Sequence, residues 1–337
     1  MTGSAAFFMS KSRRGQDDTM AKESRAGHGG HWLVLLAAVL WGTTGTAQAL
    51  APVGAQPAAV GAVRLVIGGA ALLALALIRG QLRLADWRRP AALVAAAGVA
   101  AYQVCFFAAV ATTGVALGTL VGIGSAPISA GLLEWLVQGQ RPSKRWVMAT
   151  CLAVLGSALL LGDEGGWQVH WGGVLLALGA GASFAVYTVA GRSLLQAVSP
   201  DGYVALAFAG GGVLLAPLLF VSDLRWLAEP RGLLVALHLG LIATALSYVL
   251  FGRGLARVQA ATATTLSLAE PLTAALLGTV VLGERLGAAA VLGAALLLIA
   301  LAWLAWPSAK SPGAPAPAPS PAQQARSLPS SGETKSL

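Results

Sequence analysis

"AEPLTAALLGTVVLGER", residues 269–285, sets a glutamate directly before a proline in the middle of an apolar run. From Val258 to Val281, Glu270 is the sole ionisable side chain. A charged Asp, Lys or Arg at the centre of a membrane-spanning helix costs roughly 2.5–3.5 kcal/mol on insertion scales, so such groups are rare and informative. Pro271 removes a backbone donor and crowds the preceding turn, which frees carbonyl groups close to the carboxylate. The stretch also has a counterpart. "SAPISAGLLEWLVQGQR" (125–141) lies on it at an offset of 144, matching Pro127 to Pro271, Leu132-Leu133 to Leu276-Leu277, Gly139 to Gly283 and Arg141 to Arg285.

Further upstream, "HWLVLLAAVLWGTTGT" (31–46) lies on "HWGGVLLALGAGASFA" (170–185) at an offset of 139, pairing His31-Trp32 with His170-Trp171 and Gly42 with Gly181. The two matches run in the same order along the chain. They describe an internal duplication, with a first unit over 31–165 and a second over 166–306.

Composition supports a membrane setting. Of 337 residues, 56% are hydrophobic and 10% charged, against roughly 25% charged in soluble domains. Ten apolar spans cover approximately 32–50, 58–78, 91–112, 116–138, 146–162, 171–191, 202–221, 232–252, 258–281 and 288–306. Each is close to the roughly 20 residues that a bilayer-crossing helix needs. The fold class is therefore all-α integral membrane, with ten transmembrane helices. Five spans per unit is an odd number, so the second unit enters the membrane from the opposite side, giving inverted repeats.

The net charge of +9 has a topological reading. With the N-terminus inside, eighteen of the 22 Lys and Arg residues fall in cytoplasmic segments. Only Arg225, Arg231 and Arg285 fall on the other side, and Arg64 lies within the second span. Such a bias orients the chain with both termini cytoplasmic, in the inner membrane of a bacterium. The basic residues form short clusters without interleaved aromatics, which excludes nucleic acid as a partner. The expected partners are a small-molecule substrate and the lipid bilayer, with a homodimer allowed.

Residues 1–30 are polar and of mixed charge and read as a disordered arm. In "SKSRRGQDD" (10–18), acids follow the arginines where a twin-arginine export signal needs a hydrophobic stretch. "TAQAL" (46–50) contains an A-x-A, but the preceding run is long enough to span and the repeat requires it as a helix. Residues 307–337 are Pro/Ala/Ser-rich and read as a disordered or polyproline-like tail. Cys105 and Cys151 lie in apolar spans without metal-ligand spacing, and read as small buried hydrophobes. No cofactor or metal is expected.

Taken together, the two five-helix units, "LLAAVLWGTTG" (35–45), the arginine of "GAVRLVIGGAALL" (61–73) and "AEPLTAALLGTVVLGERLGAAAVLGAALLLIALAW" (269–303) resemble an EamA-type member of the drug/metabolite transporter superfamily. The resemblance covers residues 32–306, and its most specific element is the Glu-Pro plus Gly-Glu combination in the last two spans. Two positions depart from it. Gly139-Gln140 stands where the family usually has Gly-Glu, and Ala126 occupies the place that matches Glu270. The resemblance implies a ten-helix bundle around a central pathway that moves small metabolites, often outward. It does not fix the substrate.

Candidate substrate- or proton-binding residues follow from the polar faces within the spans. Gln259, Ser267, Glu270 and Thr273 approximate one helical stripe. Glu270 either contacts substrate or a proton, or satisfies the broken helix, or pairs with Arg64. Arg64 in turn either meets an anionic substrate group or pairs with a carboxylate or with helix carbonyls. Trp41, Thr44 and Gln48 form a second face, and Tyr102 with Phe106 and Ser183 with Tyr187 add ring and hydroxyl groups at i, i+4. His238 shares a face with Tyr248. Pro127 and Pro271 are expected to interrupt their helices as a symmetric pair near mid-membrane. Glu134 lies within reach of Arg141 or Lys144, Glu284 and Arg285 in a short loop, and "GTLVG" (118–122) reads as a helix-packing motif.

The reading is a secondary transporter working by alternating access, its site lying between the first, third, fourth, sixth, eighth and ninth spans. Export of amino acids or related metabolites is the first expectation, with proton coupling through Glu270. Efflux of toxic cations or metabolite import is the alternative. An intramembrane enzyme of the serine-protease kind is the remote one, resting on Ser125 and His238 without an orienting motif.

Overall fold

A computed structural model describes residues 29–139, 141–162, 170–283 and 285–306. Residues 1–28 of the N-terminal arm, residues 163–169, the Pro-rich tail, Gln140 and Glu284 lie outside these described residues, whereas Gly29 and Gly30, read from sequence as part of the arm, already belong to the first helix. Ten helices carry the chain: α1 (Gly29–Ala49), α2 (Pro57–Ile78), α3 (Pro90–Thr113), α4 (Val115–Gln138) and α5 (Lys144–Leu161). They are followed by α6 (Trp171–Leu194), α7 (Pro200–Phe220), α8 (Pro230–Leu255), α9 (Ala260–Val281) and α10 (Ala288–Ala305). Each is long and apolar enough to cross a bilayer, and no strand occurs among the described residues.

Local chemistry explains where the helices start and stop. Proline occupies the first turn of α2, α3, α7 and α8, where its missing N–H costs nothing. Ser143 and Ser199 cap α5 and α7, accepting hydrogen bonds from the N–H groups of Trp146 at 3.1 Å and Gly202 at 3.0 Å. Helices α4 and α9 end on Gly139 and Gly283, with φ of 68° and 73°. This left-handed turn favours glycine, and the two positions match at the offset of the repeat.

Apolar side chains such as Leu77, Val213, Phe220, Leu234 and Leu276 are exposed on the outside of the bundle, as they are where the surrounding solvent is lipid. Cys151 also lies on this outer face, so it is not the buried hydrophobe expected from sequence. Inside, small residues let backbones approach. A Cβ on Gly156 of α5 would lie 2.8 Å from the Gly293 carbonyl oxygen of α10, and one on Gly293 would lie 2.5 Å from that of Gly156. The contacts are reciprocal between the two halves. Gly69 of α2 meets the Phe208 backbone of α7, while Gly212 of α7 meets the Leu65 backbone of α2. Gly42 of α1 lies against Glu270 of α9, as Gly181 of α6 lies against Ala126 of α4. Gly122 contributes to this last contact through its carbonyl group, whereas Gly118 packs on Val110 and Thr113 at the preceding turn.

The expected symmetric pair of helix interruptions is not found. Pro127 sits inside a continuous α4. Helix α9 is divided into Ala260–Leu266 and Ala269–Leu282. The Pro271 nitrogen carries no hydrogen to donate to the Ser267 carbonyl oxygen one turn earlier, and that oxygen accepts from the Glu270 N–H instead, at 3.0 Å. A second irregularity has no sequence forecast. Within α8, His238–Leu246 winds as a π-helix, and the Thr244 hydroxyl donates to the Leu239 carbonyl five residues back at 2.8 Å.

Candidate functional site

A cavity of about 830 Å³ opens between the helices. Its walls run from Tyr248 and Phe184, deep in the bundle, to Gln48, Arg285 and Leu286 at the end where α1 meets α2 and α9 meets α10. Trp41, Gln48, Arg64, Tyr102, Phe106, Tyr248, Glu270 and Pro271 all line it. Residues of α1, α3, α4, α6, α8 and α9 contribute as expected. The structure adds α2 to this set, through the candidate Arg64 and through Pro57, with Leu160, Leu161 and Ala290 from the ends of α5 and α10.

One wall is aromatic. Trp41 packs on Tyr248 with ring centroids 4.8 Å apart and edge-on to Phe184 at 6.2 Å. Tyr102 stacks on Phe106 at 5.5 Å. The Trp41 indole N–H is buried without a hydrogen-bond partner among the described residues. Rings of this kind present broad, rigid apolar faces with a few polar edges, the usual character of a small-molecule pocket.

Two opposite charges share this cavity. Neither Arg64 nor Glu270 takes part in an ion pair among the described residues. Of the two readings of Arg64, a direct ion pair with a carboxylate is not present among the described residues, although Arg64 and Glu270 lie close enough to feel each other's charge. Buried charges are ordinarily paired or hydrogen-bonded, because a lone one costs several kcal/mol. Two left open towards a common cavity are available to something that enters it.

Other candidates go elsewhere. His238 does not line the cavity; its Nε2 lies 2.9 Å from the Thr43 hydroxyl, bridging α8 to α1. Tyr187 is 1% exposed and stacks on Tyr203 at 5.3 Å, behind the cavity wall. The Ser183 hydroxyl donates to the Gly179 carbonyl at 2.7 Å. Pro127 is buried in α4, off the cavity lining. The polar stripe of α9 is split by the break: Ser267 and Glu270 line the cavity, Thr273 packs against Gly42, and Gln259 precedes the helix. Ser125 and His238 are not brought together. The Ser125 hydroxyl donates to Gly122 in its own helix.

The opposite end of the bundle is closed by polar clamps. Asp201, 4% exposed, accepts from Arg253 Nε and Nη2 at 3.0 and 2.9 Å and is also bonded by Arg79. Arg192 donates to the Leu255 carbonyl at 3.1 Å. Glu134 corrects the sequence reading most sharply. It is 3% exposed and bonds neither Arg141 nor Lys144. Its two oxygens instead accept from the backbone N–H groups of Ala260 and Ala261 at 2.7 and 2.9 Å, capping α9 from another helix.

The EamA-like transporter family matches residues 28–162 and again 171–306. The chain belongs to this family. An uncharacterized transporter of Bacillus subtilis, YwfM, is 49% identical over 268 residues, covering 80% of this chain and 90% of its own. The threonine/homoserine exporter RhtA of Escherichia coli K12 is 32% identical over 267 residues, covering 75% and 83%. A crystal structure of a protein superposes with a TM-score of 0.71 at 22% identity, over 81% of this chain and 95% of that one, which shows the shared fold. The protein is thus a multi-pass membrane transporter of two EamA repeats. The match also bears out the family resemblance carried by the Glu-Pro of α9.

Sequence reasoning missed two parts of this cavity and one residue beside it. Gln103, a polar residue in a mostly apolar span and legible as such, does not line the cavity but is buried beside its wall. Phe107 and Thr119 line the cavity and resemble any other core residue in sequence. The π segment that delivers Tyr248 has no signal beyond Gly240 and Thr244.

Proposed function

We propose that the protein exports amino acids or closely related metabolites by alternating access through this cavity. The observation that carries the reading is the pair of unpaired, opposite charges in one aromatic-walled space. A zwitterion presents a carboxylate for Arg64 and an ammonium group for Glu270. The guanidinium fork matches a carboxylate in two parallel hydrogen bonds. The similarity to a protein named as a threonine/homoserine exporter supports the same class. Exchange of the ammonium group for a proton on Glu270 couples the cycle to the proton gradient.

The reciprocal contacts of α2 with α7 and of α5 with α10 support repeats of inverted topology, since a two-fold relation makes residue i meet j and j meet i. The domain limits are those of the two duplicated units, 31–165 and 166–306. Both termini are cytoplasmic in the bacterial inner membrane, on the Lys/Arg bias. The cavity then opens outward, and Asp201 and Glu134 close the inner end. A second reading, efflux of organic cations, draws on Trp41, Tyr102 and Phe106 around the single carboxylate.

Counterflow in proteoliposomes separates the two. Saturable exchange of L-threonine that is abolished in Arg64→Ala supports the amino-acid reading. Exchange of tetraphenylphosphonium that survives Arg64→Ala and fails in Glu270→Gln supports the cation reading. For proton coupling, unchanged uptake and unchanged pH dependence in Glu270→Gln would exclude it.

A further inference from the structure

Beside the large cavity lies a second, much smaller chamber of about 10 Å³. The two share Arg64, Tyr102, Phe184 and Tyr248 as a common wall. Beyond that wall the chamber is bounded by Gly98, Gln103 and Tyr187 among others. Three of its lining residues carry a buried polar atom with no partner at normal hydrogen-bond distance among the described residues: Arg64 Nε, Gln103 Oε1 and the Tyr187 hydroxyl, the last beside the Tyr203 side chain. Gln103 is 4% exposed and Tyr187 1%. Buried polar atoms are almost always satisfied, and three orphans around one void need a common explanation. A single water needs about 10–15 Å³ and two to four polar partners. The chamber offers that volume with two donors and an acceptor, the tyrosine hydroxyl serving in either sense.

We propose that this chamber holds one ordered water, which accepts from Arg64 Nε, donates to Gln103 Oε1 and bonds the Tyr187 hydroxyl. Gln103 and Tyr187 are then positioning residues: they touch no substrate, but fix the inner edge of the guanidinium so that its terminal nitrogens face the large cavity. A planar guanidinium anchored at Nε keeps its two-pronged face in one orientation, which lowers the ordering cost when an anionic group binds. The large cavity and the small chamber would thus be one recognition device, wet on both sides of Arg64. The glycine at position 98 is part of it. A Cβ there would come within 3.0 Å of the Ser183 carbonyl oxygen and the Tyr187 nitrogen, so α3 and α6 meet backbone to backbone at the chamber's edge.

The test has two independent arms. The first is an experimental structure of the wild type and of Gln103→Leu at a resolution that shows ordered water. The wild type should show one peak within hydrogen-bond distance of all three atoms, and Gln103→Leu should lose it and release the Arg64 side chain. A dry chamber, or Gln103 bonded directly to Arg64, overturns the proposal. The second arm rests on the amino-acid reading. In L-threonine counterflow, Gln103→Leu and Tyr187→Phe should each raise KM several-fold with little change in maximal rate, whereas loss of packing alone would lower the rate and the melting temperature. An unaltered KM in both variants also overturns the positioning role. A water peak in a protein that does not exchange L-threonine would uphold the chamber and sink only the choice of substrate.

Discussion

Helices α4 and α9 are repeat mates with a proline at the same register, yet they behave differently. In α4, Pro127 is absorbed into a continuous helix; in α9, Pro271 follows a break between Leu266 and Ala269. Each helix carries one buried or half-buried carboxylate, at unrelated positions. Glu134 of α4 is fully bonded, to the very end of α9. Glu270 of α9 takes part in no ion pair among the described residues and lines the cavity. The contrast separates two uses of a carboxylate in lipid: one satisfied and architectural, one left open and available. Burial alone does not distinguish them; partners do.

Several substitutions break or sharpen this contrast. The largest effect is expected from Glu270→Gln, which keeps size and removes charge. Exchange should fall by about 10–100-fold, the equivalent of losing a hydrogen bond to a charged group worth roughly 1.5–3 kcal/mol. Counterflow at several pH values measures this, and the remaining rate should no longer vary with pH. Next comes Glu134→Ala, which strands two buried N–H groups at about 1–3 kcal/mol each. Thermal unfolding in detergent should show a loss of roughly 2–6 kcal/mol on that basis, with Glu134→Gln intermediate because its amide keeps an acceptor oxygen.

Gly156→Ala tests the α5–α10 contact. Its Cβ would press on the Gly293 carbonyl group, and overpacking of this kind costs typically 1–3 kcal/mol. The melting temperature should drop, with substrate KM preserved. The smallest pair of effects is the most direct on the comparison. Pro271→Ala restores the donor to Ser267 and should slow exchange several-fold by letting α9 heal, while Pro127→Ala should leave the rate within about twofold. Equal effects from the two prolines would mean that the break has no part in transport.

The ten spans were legible because a membrane demands long apolar runs, and those runs dominate a sequence that has little else in it. Glu270, Arg64, Trp41 and Gln48 were legible because polar groups stand out against that background. The reach of Glu134 was not. A glutamate four residues from a helix end invites a nearby cation, and no local pattern announces a partner 126 residues away. The fate of Pro127 was also hidden, since a proline at the same repeat register, Ala-Pro-Ile in α4 and Glu-Pro-Leu in α9, does not by itself say which helix breaks. His238 misled because its ring is used to bridge α8 to Thr43 of α1, a contact that no local spacing announces, and the turns that follow it are π. Gln103 was readable and gains meaning only from the void beside it.

The clamp from Glu134 onto α9 has a thermodynamic consequence. It closes one end and has no mate at the other, because Gly278 stands at the position that matches Glu134. In the proposed alternating-access cycle the two access states then start unequal, separated by whatever the clamp and the Asp201 pairs are worth. A cargo that binds both states alike shifts nothing, however tightly it binds. Only a molecule that gains more in the state with the clamp released can turn the cycle, at about 1.4 kcal/mol for each tenfold change in population. Selectivity in such a carrier is then a property of the distant latch as much as of the pocket.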